Sequence, residues 1–516
     1  MTRRELLLAF AAQTQQPEIC IYGASAAGVT AAIQARKMGR TVLLLEPGRH
    51  LGGITVEGLG SSDINNHWFR NSPAVGGLAA EFYRRIGAAY QRNEAIYKFE
   101  SSVAERVILA WLKEHDVPYL LNASLRSATK QGARLTHITL ASGQRIGASQ
   151  FIDASIEGDL LHAAGCRTVI GRESNAQYGE TKNGIRAENT YRNFEVRVDP
   201  YWHPGVPSSG VIPTIRNEPI GTPGEGDHRL QGYCFRMCLT RNPANRIPFA
   251  KPPGFDRKLY EIYYRYVQAG GQLFRPIANL PNGKTDQGSW HDLSANLYGM
   301  NYGYPAGSPA VRRRIYAEHL HFTQGLVYLL ANDPAFGGHW KDWGVCADEF
   351  PDNGGWPRQF YVRDARRLVS DFVITEDHTR RAGQPPVADP VGISCWPPDT
   401  HHVRRIIKDG AAYNEGFVFG GDDWGAFPIS YRAMLPRPGE CTNLLTPTCL
   451  SSSHVAYGAI RLEWTFFLLG QAAGTAAVQA LAAKSALQDL PYAPLRARLE
   501  ADGQVLAMDP VPRPKA

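Results

Sequence analysis

The chain has 516 residues, 43% hydrophobic and 20% charged, with 51 glycines and 35 prolines. That length suits roughly two to four domain-sized units of an ordinary globular protein; it excludes a disordered chain or a coiled coil, and the lack of a three-residue glycine period excludes collagen. The net charge of +7 is thinly spread, and the densest basic runs, Arg312-Arg313-Arg314 and Arg404-Arg405, are too short for a nucleic-acid footprint.

In chain order, Thr2-Arg3-Arg4-Glu5-Leu6-Leu7 leads into a short apolar stretch ending at Ala12, then Gln13-Thr14-Gln15-Gln16. Residues 1–16 resemble a twin-arginine export signal with a compressed apolar region. This reading puts the protein in the periplasm or outside the cell; the alternative, a frayed helix, leaves it in the cytoplasm. No apolar run approaches the roughly 18 residues expected of a membrane span.

Ile19-Cys20-Ile21-Tyr22 reads as a buried strand, followed by Gly23-Ala24-Ser25-Ala26-Ala27-Gly28. Val29 to Met38 reads as a helix, Gly39-Arg40 ends it, and Thr41 to Leu45 is a second strand closing on Glu46. This is a β-α-β unit of about thirty residues with a Gly-rich first turn. Gly23 lets the chain turn sharply. Ala24 to Ala27 bring backbone N–H groups and a helix N-terminus towards a pyrophosphate, and Gly28 permits close helix packing. Glu46 stands where a carboxylate accepts hydrogen bonds from a ribose diol. Ser25 replaces the usual middle glycine; it is small enough for close approach, and its hydroxyl is expected to add a phosphate bond. The unit predicts a bound dinucleotide.

Three further stretches point to FAD. Gly52 and Gly53 follow shortly after the ribose-binding acid and let backbone cross near the flavin. Gln150 to Asp159 reads as a strand entering a small-residue turn at Ala154. Near the C-terminus, Asn443-Leu444-Leu445 reads as a strand. Ser453, His454 and Val455 lie in a polar turn before a long helix containing Gly470 and Gly474, whose N-terminus is expected at the flavin.

On these stretches, with Gly76-Gly77-Leu78-Ala79, Leu280 to Asp286, Tyr361 to Arg367 and Pro398 to His401, the chain resembles the FAD-dependent oxidoreductase family, some of whose members are called xanthan lyase-like. More distantly it is similar to the glutathione reductase-type FAD fold of fumarate reductase flavoproteins. The resemblance implies an α/β fold: a Rossmann-like FAD-binding domain of the glutathione reductase type, split in sequence, with a large inserted α+β substrate domain. The expected division is residues 17–165 and 436–490 for the FAD domain, 166–435 for the insert and 491–516 for a tail. Helices are expected around 76–90, 101–115, 308–332 and 362–375.

The eight cysteines form no C-x-x-C pair. They predict buried free thiols, and no metal site is expected. His454 is the first candidate for handling the proton that accompanies hydride transfer, with His401, oriented by Asp399, as the second. His402 is not expected to share that role. Arg461, Arg363 and Arg432 are candidates to hold an anionic substrate group or a flavin carbonyl. Lys284-Thr285-Asp286 suits an ordering loop network, and His50 is a candidate for a covalent flavin link.

The reading is an FAD-dependent oxidoreductase acting on a polar small molecule by hydride transfer at flavin N5, with a separate electron acceptor. The alternatives are a flavin-dependent lyase or hydrolase without net redox change, and a non-catalytic flavin-binding protein. Neither a nucleic-acid partner nor a membrane span is expected, and the sequence leaves the oligomeric state open.

Overall fold

A computed structural model of the chain describes residues 16–66, 70–186, 188, 193–289, 292–420 and 423–508. The twin-arginine segment lies outside the described residues, save Gln16.

Buried apolar runs make the first unit. Strand β1 (Ile19–Tyr22), helix α1 (Ala26–Lys37) and strand β2 (Val42–Leu45) form the expected crossover. Helices α2 (Gly77–Ala89) and α3 (Ser101–Glu114) follow, then β3 (Tyr119–Leu120). An antiparallel sheet comprises β4 (Leu125–Gln131), β5 (Arg134–Leu140) and β6 (Arg145–Gly147), and β7 (Gln150–Asp153) returns to the first sheet. Later in the chain come α4 (Pro309–Asn332), β8 (Pro390–Ser394), β9 (Phe427–Ser430) and β10 (Leu444–Leu445). They precede α5 (His454–Ile460), α6 (Glu463–Ala483) and α7 (Tyr492–Ala501).

The main sheet has the order β10-β7-β1-β2-β3, and all its pairs are parallel. Tyr22 is level with both Leu45 and Asp153. The turns after β1, β2 and β7 therefore leave the sheet side by side at its carboxyl edge, where open α/β sheets bind ligands.

Helix α6 lies across α1. A Cβ on Gly470 would stand 2.1 Å from the Ala27 carbonyl oxygen, and one on Gly474 2.6 Å from that of Ala31. Thr30 Oγ1 donates to the Phe467 carbonyl at 2.8 Å across the same contact. The small face of α6 thus presses directly on the helix whose N-terminus opens the site. Gly470→Ala gains about 1 kcal/mol of helix propensity. The clash is with backbone, which no rotamer relieves, so overpacking wins. We expect a net loss of about 1–3 kcal/mol, read from the denaturant midpoint. Helix α6 is long and apolar enough to cross a membrane, but most of it is buried in the core.

The core around this sheet also takes in Val391, Ile393, Phe427 and Ile429 from the antiparallel pair β8–β9. A second apolar cluster, with Phe235, Tyr260, Leu326 and Trp340, is built mainly from residues 198–362.

Two expectations are corrected. Residues 362–375 are not a helix: Arg367–Leu368 pairs as a strand with Thr168–Val169. Three arginines there are buried against different partners. Arg363 reaches the Gly232 carbonyl, Arg366 bonds Asp159, and Arg367 bonds Glu173. Extended backbone sends them in separate directions, where a helix would gather them on one face. Nor is the C-terminal stretch a loose tail, because α7 buries Leu495 and Leu499 completely. Gln504 donates to the carbonyls of Val391 and Leu468, anchoring the chain just beyond α7. Residues 509–516 lie outside the described residues. The eight cysteines are free and buried, as expected.

Candidate active site

At the carboxyl edge the first turn is set by close approach. Gly23 has φ +94°, and a Cβ there would stand 2.4 Å from the backbone nitrogen of Ser155. A Cβ on Gly28 would lie 2.0 Å from the Gly23 carbonyl oxygen. Ser25 caps α1: its Oγ accepts from the Gly28 N–H at 3.4 Å and donates to the Ala154 carbonyl at 2.7 Å. The Ser25 hydroxyl, expected on a phosphate, instead ties the first turn to the turn after β7. The N–H groups of Ala26 and Ala27, in the first turn of α1, have no intrahelical acceptor, which leaves a cradle for an anion.

Glu46 Oε2 accepts from Ala24 N–H at 2.9 Å and Oε1 from Gly48 N–H at 2.7 Å. Burial pushes its carboxyl up to about 7, against the lowering effect of these two bonds. Gly53, at φ +58°, brings its backbone against Ser25, and Gly52 N–H donates to the Ala24 carbonyl at 2.7 Å.

These turns enclose a cavity of about 720 Å³. Gly23, Ala24, Ser25, Glu46, Gly53 and Ala154 line it. Further walls come from Tyr304 to Arg313, which includes the start of α4, and from Gln359 to Val362. A second cavity of about 490 Å³ adjoins it, with Asp63, Arg236, Trp396, Asp399 and His401 on its walls. The two cavities share three residues: Tyr361, Arg461 and Glu463.

Arg461 joins this wall together. Its Nη1 donates to Tyr361 Oη at 2.6 Å and its Nη2 to the Asp399 carbonyl at 2.8 Å, with Asp399 Oδ2 at 3.6 Å. His401 Nε2 stands 3.8 Å from Asp399 Oδ1. Of the predicted proton-handling and anion-binding residues, the structure brings His401 and Arg461 together on the second cavity but not His454. His454 lies outside both cavities, buried, with Nδ1 3.2 Å from Asp364 Oδ2 and its N–H donated to Glu173. Ser453 caps α5 and Val455 is fully buried; neither lines either of these two cavities. It is the start of α6, not of α5, that meets the cofactor cavity.

The other candidates have structural partners. Arg363 bonds Asn296 and Cys234 besides Gly232, Arg432 pairs with Asp389, and His402 Nδ1 is 3.4 Å from Tyr298 Oη. Lys284 sits among Glu100, Asp348 and Glu349, and Asp286 pairs with Arg236. His50 is held outside the cofactor cavity by Glu105, Asp352 and Arg358.

A family model described as FAD dependent oxidoreductase matches residues 18–499. The chain belongs to the FAD-dependent oxidoreductase family. No curated protein matches it. Solved structures similar to part of it include flavin-dependent brominase Bmp2, 18% identical over 30% of this chain and 42% of that one, with a TM-score of 0.24. L-proline dehydrogenase from P. horikoshii is 15% identical over 31% of this chain and 59% of that one, with a TM-score of 0.25. FAD-bound OTEMO is 17% identical over 27% and 26%, with a TM-score of 0.20. The matched stretches thus span less than two thirds of each of these chains.

The first cavity fits the FAD of this family. The glycine cradle admits a diphosphate where any larger residue would fill it. Glu46 has an acceptor for each ribose hydroxyl, because each oxygen uses only one of its lone pairs on backbone. With a diphosphate in the glycine cradle, a flavin would extend towards the wall at Gly53, Tyr361 and Arg461, beside the second cavity. Glu46 is expected to bind the ribose as the carboxylate. As pH falls through about 7 the carboxyl of the apoprotein takes up a proton and loses an acceptor, so affinity drops with acidification. We expect FAD to bind about tenfold more weakly at pH 6 than at pH 8, with Glu46→Gln weakening binding and flattening the profile. Fluorescence titration of apoprotein with FAD measures both.

The residue that sequence reasoning missed is Glu463. Nothing in Ile460-Arg461-Leu462-Glu463 announces the helix break that turns Arg461 and Glu463 towards the cavities.

Proposed function

We propose that this enzyme oxidises or reduces a polar small molecule held in the second cavity, by hydride exchange with flavin N5. Bound FAD supplies the two-electron chemistry. The observation that carries the reading is the shared wall: among the described residues Tyr361, Arg461 and Glu463 line both cavities, so a molecule in the second cavity would meet the cofactor beside them.

The chain's own groups bind and orient. Arg461 is buried, and its Nε has no hydrogen-bond partner among the described residues. It offers a fixed donor to a substrate oxygen or a flavin carbonyl, and such a preorganised donor stabilises charge that develops during transfer. His401, beside Asp399, and Asp63 offer hydrogen bonds to hydroxyl or amine groups, while Trp396 and Tyr361 supply aromatic faces. This mixture supports a hydroxylated or amine-bearing substrate such as a sugar. A separate electron acceptor completes turnover.

The test is anaerobic mixing of the purified yellow protein with panels of sugars, amines and enoates. Bleaching of the flavin by a member of the sugar or amine panels is expected. Product formed without bleaching would favour lyase chemistry, and a flavin that no compound bleaches would favour a non-catalytic role.

A further inference from the structure

One carboxyl group stands on the wall common to both cavities. Glu463 is the first residue of α6 and lines the cofactor cavity and the second cavity alike. It is 6% exposed and accepts a hydrogen bond from Thr55 Oγ1 at 3.1 Å. Among the described residues no cation lies within ion-pair distance of it. A buried carboxylate without a cation is costly, and a glutamine would fill the same space and make the same bond to Thr55. The first turn of a helix favours an acid, but packing and hydrogen bonding do not require one here.

The position gives a further reason. When a hydride leaves carbon, the companion proton leaves an oxygen or nitrogen one bond away. The group that takes it must reach the junction of the cavities. His401 lines only the second cavity and His454 lines neither.

Resting on the hydride-exchange reading above, we propose that Glu463 carries the proton that accompanies hydride exchange. In the oxidising direction the substrate C–H bond breaks and its electron pair leaves as hydride to the cofactor, which is the oxidant. The O–H bond breaks as its proton passes to the Glu463 carboxylate, and a C=O bond forms. In the reducing direction the neutral carboxyl returns the proton as hydride arrives. An amine substrate loses its N–H proton in the same way and forms C=N.

Burial pushes the Glu463 carboxyl up to about 8, within reach of neutral pH, as a proton carrier needs. The titratable and charged groups facing it are Tyr83 from α2, Tyr361 from the loop beside the cofactor, Arg461 from the turn before α6, and Asp63 across the second cavity. Burial raises both tyrosines, while Asp63 is pushed only to about 6. A transition near 8 is therefore distinct from that of Asp63.

The experiment is a pH titration of the visible flavin spectrum of the holoenzyme, from about pH 6 to about pH 10. It compares wild type with Glu463→Gln and Glu463→Asp, and needs no substrate, so its outcome is separate from that of the substrate screen. Wild type is expected to show a spectral transition near pH 8 that Glu463→Asp displaces and flavin-loaded Glu463→Gln lacks, while any change near pH 7 from Glu46 is common to all three. An unchanged transition near pH 8 in Glu463→Gln, or none there in wild type, overturns the proposal. Should Glu463→Gln fail to hold flavin, Glu463→Asp decides: a midpoint identical to wild type overturns it. With any compound that bleaches the enzyme, Glu463→Gln is expected to slow bleaching about 100-fold at unchanged KM; a change below about threefold overturns the assignment.

Discussion

Gly28→Val will leave the purified protein colourless. A Cβ at this position would lie 2.0 Å from the Gly23 carbonyl oxygen and 3.3 Å from Ala154 Cβ. The first obstacle is backbone, held by the Gly23 N–H bond to the Leu45 carbonyl at 2.8 Å, so it cannot swing aside. Relief requires α1 to move away from β1, which pulls the N–H groups of its first turn off the diphosphate. Helix α6 opposes that movement through Gly470 and Gly474. The strain therefore falls on the cradle. We expect FAD affinity to fall at least 1,000-fold, about 4 kcal/mol, with flavin below the level of detection after reconstitution and gel filtration. A Gly28→Val protein that retains stoichiometric flavin would show that the diphosphate lies elsewhere.

The second large effect belongs to Arg461. Its guanidinium links Tyr361 Oη to Asp399 across the wall that separates the cavities. Arg461→Met keeps much of the volume but removes the charge, leaves the Tyr361 hydroxyl without its donor, and exposes the second cavity to the carboxylate of Asp399. We expect flavin reduction by a bleaching substrate to slow about 100- to 1,000-fold, the range for loss of a preorganised donor at a reacting centre, while flavin content stays near wild type because the glycine cradle is untouched. Arg461→Lys should recover little, since an ammonium cannot reproduce the planar fork that reaches both partners. Stopped-flow absorbance reads the rate, and circular dichroism checks the fold. Bleaching within about threefold of wild type in Arg461→Met would remove this residue from the chemistry.

The parts legible in sequence are those whose signals are local. The crossover is written in buried runs, a glycine at each close approach and an acid at the end of β2. Gly23, Gly28 and Glu46 therefore stand where their spacing puts them. Helix α4 lies where a helix around 308–332 is expected, with Ser308 Oγ accepting from Val311 N–H. The parts that were not legible depend on distant partners. Arg363, Arg366 and Arg367 have helical spacing, yet each is claimed by a different part of the chain, and that competition sets the backbone. Helix α7 is disguised by Pro491 and Pro494; both fall at its cap and first turn, where a missing N–H costs nothing. His454 has the right chemistry in a suggestive turn, but its ring faces Asp364, 90 residues earlier. Glu463 resembles any acid in a first helical turn, and only the meeting of two cavities sets it apart.

The walls of the cofactor chamber are drawn from Gly23, Glu46, Ala154, Arg312, Tyr361 and finally Phe466. Gly23 and Phe466 lie far apart in the chain, so this chamber closes only after synthesis has passed Phe466. Products of synthesis cut short before Phe466 are therefore expected to lack a closed chamber and to leave the flavin pool untouched.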